Sequence, residues 1–477
     1  MEFTTTIWAI WAISVACGFY MAWSIGANDV ANAMGTSVGS GALTIKRAVI
    51  LAAVLEFTGA FFVGTHVSET IRKGIVSPEI FQNAPLDLVY GMAGALLAAA
   101  IWLQVASYFG WPVSTTHSIV GSVLGFGAVV GGMDAIAWHK VGTIVASWVI
   151  SPLLSGTIAF LIFSTLRRTI YYNDDPIGAA KRLTPIIVFF VFFVLTLAMV
   201  FKGLKNLHLN LTFGRATPIA AAVGLIASVI SAFLIRRIQP APVRERVLVK
   251  QPLTVRRGLP RVIGQLDRLV RQAKGEVQAQ LSMVLTDLKL ISKEVEKGEM
   301  VEQGSTEYKT VQRVFVYLQI LSAGFVAFAH GANDVANAVG PLAAIISILN
   351  TGLVTMKAPV PLWVLGLGGV GIVIGLATWG WRVMLTIGKK ITELTPTRGF
   401  SAEFAAAVTI VLASKFGIPI STTHTLVGAV LGVGLARGIG ALNLRVVTEI
   451  IISWFVTLPA GALGAIIFYY VLKAVFG

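Results

Sequence analysis

The sequence predicts an all-α polytopic membrane protein built of two inverted repeats with broken helices and re-entrant hairpins. Three observations carry this: an apolar composition, a series of near-spanning hydrophobic runs, and an internal duplication. Hydrophobic side chains make up 56% of the 477 residues and charged ones only 12%, with a mean hydropathy of +0.81. Soluble domains carry about 25% charged residues, so these proportions call for lipid as the solvent. Apolar runs at 6–25, 47–65, 87–109, 141–163, 184–203, 216–235, 311–329, 360–387 and 445–475 approach the ~20 residues a helix needs to cross ~30 Å of hydrocarbon. Shorter or interrupted apolar segments lie at 28–45, 114–131, 332–349, 401–417 and 419–437.

The first run lacks a basic n-region and a small-residue cleavage site, and reads as a retained membrane helix. The single cysteine, Cys17, excludes a disulfide framework and a multi-cysteine metal site. A net charge of +15 points to topology more than to nucleic acid, because the basic residues sit in loops and in one polar insertion. From Arg236 to Arg313 there are 16 Lys/Arg against 9 Asp/Glu, which places the insertion in the cytoplasm together with the loop around Arg167, Arg168, Lys181 and Arg182. The expected organisation is a first membrane half over 1–237, a polar insertion over 238–310 and a second membrane half over 311–477. Within the insertion a Pro- and Arg-rich stretch to about 260 precedes an amphipathic helix with the stripe Val277, Leu281, Val284, Leu288, Ile291 and Val295.

The duplication is literal in places. Gly-Ala-Asn-Asp-Val-Ala-Asn-Ala stands at 26–33 and again at 331–338; Pro-Val-Ser-Thr-Thr-His-Ser at 112–118 returns as Pro-Ile-Ser-Thr-Thr-His-Thr at 419–425; Ser147-Trp148 returns as Ser453-Trp454. Small residues alone would fit helix packing, but an Asp kept within an apolar run costs at least ~2.5–3.5 kcal/mol to insert and calls for a function. Paired halves with interrupted helices are the mark of secondary transporters, whose substrate binds between the repeats.

Each motif carries its own chemistry. Asn28, Asp29 and Asn32, like Asn333, Asp334 and Asn337, set two amide oxygens and a carboxylate close together on a helix, hard ligands that suit an alkali cation or a proton. Gly26 and Gly331 would let the helix unwind and free carbonyls for coordination. Ser114-Thr115-Thr116 and Ser421-Thr422-Thr423 follow Pro112 and Pro419 and read as the start of a returning half-helix. Hydroxyls there, with unpaired backbone N–H groups and the positive end of the dipole, suit a tetrahedral oxyanion; an ordinary N-cap is the plainer reading. Glu56 and Glu403, flanked by apolar residues, would titrate, coordinate a cation or pair with a neighbour. Glu69, Arg72 and Lys73 read as a solvated membrane exit. A Ser-His-Asp hydrolase from Ser114 with His117, or Ser421 with His424, is disfavoured because both halves present the motif equally, so no enzyme is expected. His330 has no mate in the first copy, where Ile25 stands, and lacks the His-Glu-x-x-His spacing of a metal site; no transition metal and no cofactor is expected.

At these residues the chain resembles the inorganic phosphate transporter (PiT) family, through both Gly-Ala-Asn-Asp-Val-Ala-Asn copies, both Ser-Thr-Thr-His copies, and the stretches Gly35 to Gly41 and Glu69 to Ile75. The spelling Gly26-Ala27-Asn28-Asp29 is similar to the sodium-coupled branch. The resemblance implies that Asn28, Asp29, Asn32, Asn333, Asp334 and Asn337 bind sodium and that Ser114, Thr115, Thr116, Ser421, Thr422 and Thr423 hold phosphate. It further implies that Glu56 and Glu403 matter for transport, and that the protein is a plasma-membrane homodimer of protomers with about twelve membrane segments. The function it implies is phosphate import driven by sodium through alternating access. A proton-coupled phosphate carrier, a sulfate carrier and a phosphate-sensing receptor remain the alternatives.

Overall fold

The computed structural model describes residues 5–63, 75–76, 78–198, 200, 213–237, 253–297, 306–354, 359–415 and 420–477. Glu69, Arg72 and Lys73, as well as Pro419, lie outside them. The described residues are nearly all helical and contain no strand. Two compact units emerge: Met1–Ile238 with Gln312–Gly477, and Gln239–Val311.

In the larger unit, α1 (Thr5–Asn28) passes at Asp29 into α2 (Val30–Gly39) and is followed by α3 (Ile45–Val63), α4 (Pro85–Phe109), α5 (Thr115–Val130) and α6 (Trp138–Leu166). The pair α7 (Pro176–Ala198) and α8 (Phe213–Arg236) then leads to the second half: α11 (Thr306–Thr351), α12 (Leu362–Trp379), the short α13 (Trp381–Leu385), α14 (Pro396–Lys415), α15 (Thr422–Arg437) and α16 (Leu444–Phe476). Among the described residues, eight stretches are long and apolar enough to cross a membrane. With α3 and α14, whose charged residues include Glu56 and Glu403, and the short α5 and α15, the segments come to about twelve.

Packing is reciprocal. In the first half α4 packs on α5, and α6 packs on α14 and α15 of the second; in turn α14 packs on α15, and α16 packs on α4 and α5. Each half therefore completes the other, as a pseudo-twofold axis requires, and the buried core is shared between them. Local chemistry shapes each hairpin. Gly110, at φ +72°, closes α4 in the left-handed conformation, residues 111–114 run extended, and Ser114 caps α5.

The motif glycines serve a purpose other than unwinding. A Cβ on Gly26 would lie 1.9 Å from the carbonyl oxygen of Ile372 on α12, and one on Gly331 would lie 2.3 Å from that of Glu56 on α3. They permit backbone-to-backbone contact at equivalent crossings. The first copy breaks only at Asp29, where Asn32 N bonds Asp29 O at 2.9 Å, and the second runs on inside the 46-residue α11. The carbonyls that unwinding was expected to free at Gly331 thus stay within a continuous helix.

The smaller unit differs from its sequence reading. It is a pair of helices, α9 (Leu253–Gln272) and α10 (Glu276–Lys297), turned at Gly275 with φ +66°. Leu259, Val262, Ile263, Leu266 and Leu269 give α9 an apolar stripe, which the density of arginines had obscured. In α10, Leu285 is buried while Val277 and Val284 are 58% and 49% exposed, so the buried face is rotated from the expected stripe. The side chains of Ile291 and Val295 lie outside the described ones. Lys289 reaches Asp267 at 3.9 Å across the pair.

Replacing Gly375, where a Cβ would meet Trp23 O at 1.8 Å, with valine is expected to cost more than the ~1–3 kcal/mol of ordinary overpacking, because the obstacle is backbone. Gly142→Ala, in open space, is expected to be neutral or stabilising. Thermal melting of the detergent-solubilised protein compares the two.

Candidate substrate site at the seam of the halves

Asp29 and Asp334 meet at the seam, buried together with His330. Asp29 Oδ1 accepts from Asn32 Nδ2 at 2.9 Å and from Thr423 Oγ1, while its Oδ2 accepts from Thr115 Oγ1 at 2.7 Å. Asp334 repeats the pattern: Oδ1 accepts from Asn337 Nδ2 at 3.1 Å and Oδ2 from Thr422 Oγ1 at 3.1 Å. The asparagines also reach across the seam. Asn32 Nδ2 donates to Thr423 Oγ1 at 2.8 Å, and Asn337 Nδ2 donates to Thr115 Oγ1 at 3.1 Å and Thr116 Oγ1 at 3.3 Å. Each carboxylate helix is thereby tied to the hairpin tip of the other half.

The tips point helix N-termini at this place. Ser114 Oγ accepts from His117 N at 3.2 Å and Ser421 Oγ from His424 N at 3.1 Å, so both serines are N-caps. Ahead of the first intrahelical bond, Ser118 N to Ser114 O, the amides of Thr115 and Thr116 have no helical acceptor; Thr422 and Thr423 stand likewise before Thr425 N to Ser421 O. Two dipoles of about half a positive charge each converge there.

Two buried oxygens, Asn32 Oδ1 and Asn337 Oδ1, find no hydrogen-bond partner among the described residues. They occupy equivalent positions beside the two aspartates, and an orphaned buried acceptor is costly unless a ligand completes it.

His330 is the residue that sequence reasoning missed. Its Nδ1 lies 3.0 Å from Glu56 Oε2, which gives Glu56 the partner the sequence left open. Its Nε2 lies 3.0 Å from Asp334 Oδ2 and 3.5 Å from Asp29 Oδ2. Carboxylate oxygens thus flank both ring nitrogens of His330. The i, i+4 spacing to Asp334 was the available signal.

Other expected residues fall elsewhere. Asn28 locks α1 to the hairpin: Nδ2 donates to Ser107 Oγ and Trp111 O, each at 3.0 Å, and Oδ1 accepts from Val113 N at 3.1 Å. Asn333 is half-buried on α11. Glu403 lies apart from the aspartates in a polar cage, accepting from Thr36 Oγ1, from Ser37 Oγ at 2.8 Å, from Gln319 Nε2 at 3.4 Å and from Ser322 Oγ at 2.5 Å. Nothing in the local sequence marks those four donors. The imidazoles of His117 and His424 meet edge to face between Trp148 and Trp454, with successive ring centroids 4.0, 4.4 and 3.6 Å apart. Their nitrogens have no hydrogen-bond partner among the described residues, so neither serine meets an imidazole base as a hydrolase would need.

Paired hairpin tips facing paired carboxylates across a pseudo-twofold seam, within an apolar helical bundle, are the arrangement of a membrane carrier whose candidate site lies between its repeats. The comparisons agree. Residues 25–465 match the profile of the Phosphate transporter family. The chain is 45% identical over 457 residues to "Inorganic phosphate transporter 2-1, chloroplastic" of Arabidopsis thaliana, covering 95% of this chain and 70% of that one. It is 44% identical over 470 residues to a "Putative phosphate permease" of Chlamydia trachomatis, covering 98% and 100%. A solved structure described as "The sodium-dependent phosphate transporter" superposes with a TM-score of 0.77 at 37% identity, covering 98% of this chain and 99% of that one. The chain belongs to the phosphate transporter family.

Because Asn28 makes three hydrogen bonds to the hairpin, Asn28→Ala is expected to lower stability by about 2–4 kcal/mol, mostly through the stranded Val113 amide. Asn32→Ala leaves no such amide and is expected to cost less. Denaturant or thermal melting of the two variants side by side measures the difference.

Proposed function

We propose that the protein is a symporter that imports inorganic phosphate with sodium by alternating access. The observation that carries this reading is the pair of orphaned amide oxygens, Asn32 Oδ1 and Asn337 Oδ1, beside Asp29 and Asp334. Amide and carboxylate oxygens are the hard donors an alkali cation takes, and two equivalent places offer them. As ionised groups, Asp29, Asp334 and Glu56 exceed in charge the one imidazole they surround, so bound cations would lower the energy of the cluster.

Phosphate would sit where the two tips converge, held by the Thr115, Thr116, Thr422 and Thr423 hydroxyls and the free amides ahead of α5 and α15, with Ser114 and Ser421 shaping those N-termini as caps. With aspartates nearby to accept its protons, a protonated phosphate gains hydrogen bonds that fully ionised sulfate cannot make. Cation and anion together neutralise the site, which is the state best suited to a rocking of one half against the other. In this reading the bonds between Asn32 and Thr423, and between Asn337 and Thr115, are remade in each cycle. Homodimeric assembly, a place in the cell membrane and a cytoplasmic position for the unit Gln239–Val311 belong to the same proposal, the last favoured by its excess of basic residues.

The test is radiolabelled phosphate uptake into proteoliposomes of the purified chain under an inward sodium gradient or an inward proton gradient, with unlabelled sulfate as competitor. Accumulation is expected to need sodium and to ignore sulfate; uptake that follows protons alone would overturn the coupling. Asp29→Asn and Asp334→Asn are expected to fold and to lose sodium-driven uptake, and normal uptake by both would sink the cation assignment. Each net positive charge carried inward gains ~2.3 kcal/mol per 100 mV, so a valinomycin-set potential will show whether the cycle moves net charge.

A further inference from the structure

Away from the seam, α7, α8 and α11 border an open apolar cavity of about 790 Å³, walled by Val188, Phe192, Ile226, Ile230 and Leu318, of which Ile226 and Ile230 are largely exposed. Its volume lies within the ~300–1,000 Å³ of ligand pockets. Thr184 on the third turn of α7, Ile235 on the last turn of α8 and Val314 on the third turn of α11 mark one end of the wall, which is taken as its mouth. Tyr317 lines the cavity while 64% exposed, the disposition of an aromatic at a membrane interface.

Basic residues adjoin this mouth in the chain: Lys181 and Arg182 just before Thr184, Arg236 and Arg237 just after Ile235, and Arg313 just before Val314. Lys181 is half-buried and the four arginines are exposed. None of the ion pairs among the described residues uses them. The acids nearest Thr184 in the chain, Asp174 and Asp175, stand nine or ten residues earlier, about 13 Å or more at 1.5 Å per helical residue, and Asp175 Oδ1 accepts from Gly178 N at 2.8 Å.

We infer that the cavity takes an acyl chain of an anionic phospholipid whose headgroup phosphate is held by Arg236, Arg237 and Arg313. The wall offers the chain apolar surface, and the mouth offers the headgroup guanidinium groups suited to bidentate phosphate binding. A second copy of the chain fits less well, because a twofold contact centred on this mouth would set one cationic cluster against its twin. Orientation by the positive-inside rule accounts for basic residues on this side of the membrane, but not for their place next to the lining residues of all three helices at one end of an apolar cavity.

The experiment uses the full chain in detergent, titrated with dioleoyl phosphatidylglycerol or with phosphatidylcholine of the same acyl chains, and counts retained lipid by native mass spectrometry. The wild type is expected to retain phosphatidylglycerol in preference. At ~1 kcal/mol per basic residue, the triple variant Arg236→Gln, Arg237→Gln, Arg313→Gln is expected to lose about 100-fold in that affinity while its phosphate uptake in phosphatidylcholine vesicles persists. Ala227→Trp, which fills the cavity, is expected to abolish retention of both lipids. If that variant does not fold, the charge variant decides. Equal retention of the two lipids by the wild type, undiminished phosphatidylglycerol binding by the triple variant, displacement of the lipid by inorganic phosphate, or disulfide cross-linking of two copies through Ile226→Cys would each overturn the inference.

Discussion

The structure turns on one electrostatic problem: two aspartates, a glutamate and a histidine buried against one another at the seam of two apolar halves. Ionised groups removed from water are tolerated only when their surroundings replace the lost solvation. Here the replacement comes from each aspartate's own half and, for Asp29, also from the opposite one. Thr423 serves Asp29, while Thr115 and Thr116 receive Asn337, so each half's Asp-Asn motif is joined to the hairpin tip of the other half. Cohesion of the halves and assembly of the site are therefore the same set of hydrogen bonds.

The glycines of the repeated motif follow from that demand. For the aspartates to approach the seam, α1 must lie against α12 and α11 against α3 at backbone distance, and Gly26 and Gly331 are the positions where any side chain would strike a carbonyl oxygen. A helix that passes its neighbour this closely cannot also unwind freely at the same point. This is why the second copy stays helical through Asp334, and the first interrupts only at Asp29.

His330 breaks the symmetry of an otherwise duplicated centre. Ile25, at the equivalent place in the first half, is fully buried and apolar, whereas the imidazole of His330 touches carboxylates from α1, α3 and α11. The two cation positions that the duplication suggests are consequently not chemically identical. The row of rings Trp148, His117, His424 and Trp454, by contrast, keeps the symmetry and joins the halves by ring contacts, while Trp454 Nε1 donates to Pro112 O at 3.0 Å.

Much of this was legible in the chain. Hydropathy and duplication determine an all-helical membrane protein in two matched halves, because burying backbone in lipid leaves few options and a literal repeat must pack as a repeat. The motifs marked Asp29, Asp334, the asparagines and the hairpin threonines, since polar residues in an apolar run stand out against their surroundings. Three-dimensional closure decided the rest. It turned Asn28 into a structural lock and gave Glu403 a cage drawn from α2 and α11. It also set His330 between Glu56 and both aspartates. Those partners lie from 79 to 367 residues away in most cases, and no local spacing encodes which side chain a crossing helix will present.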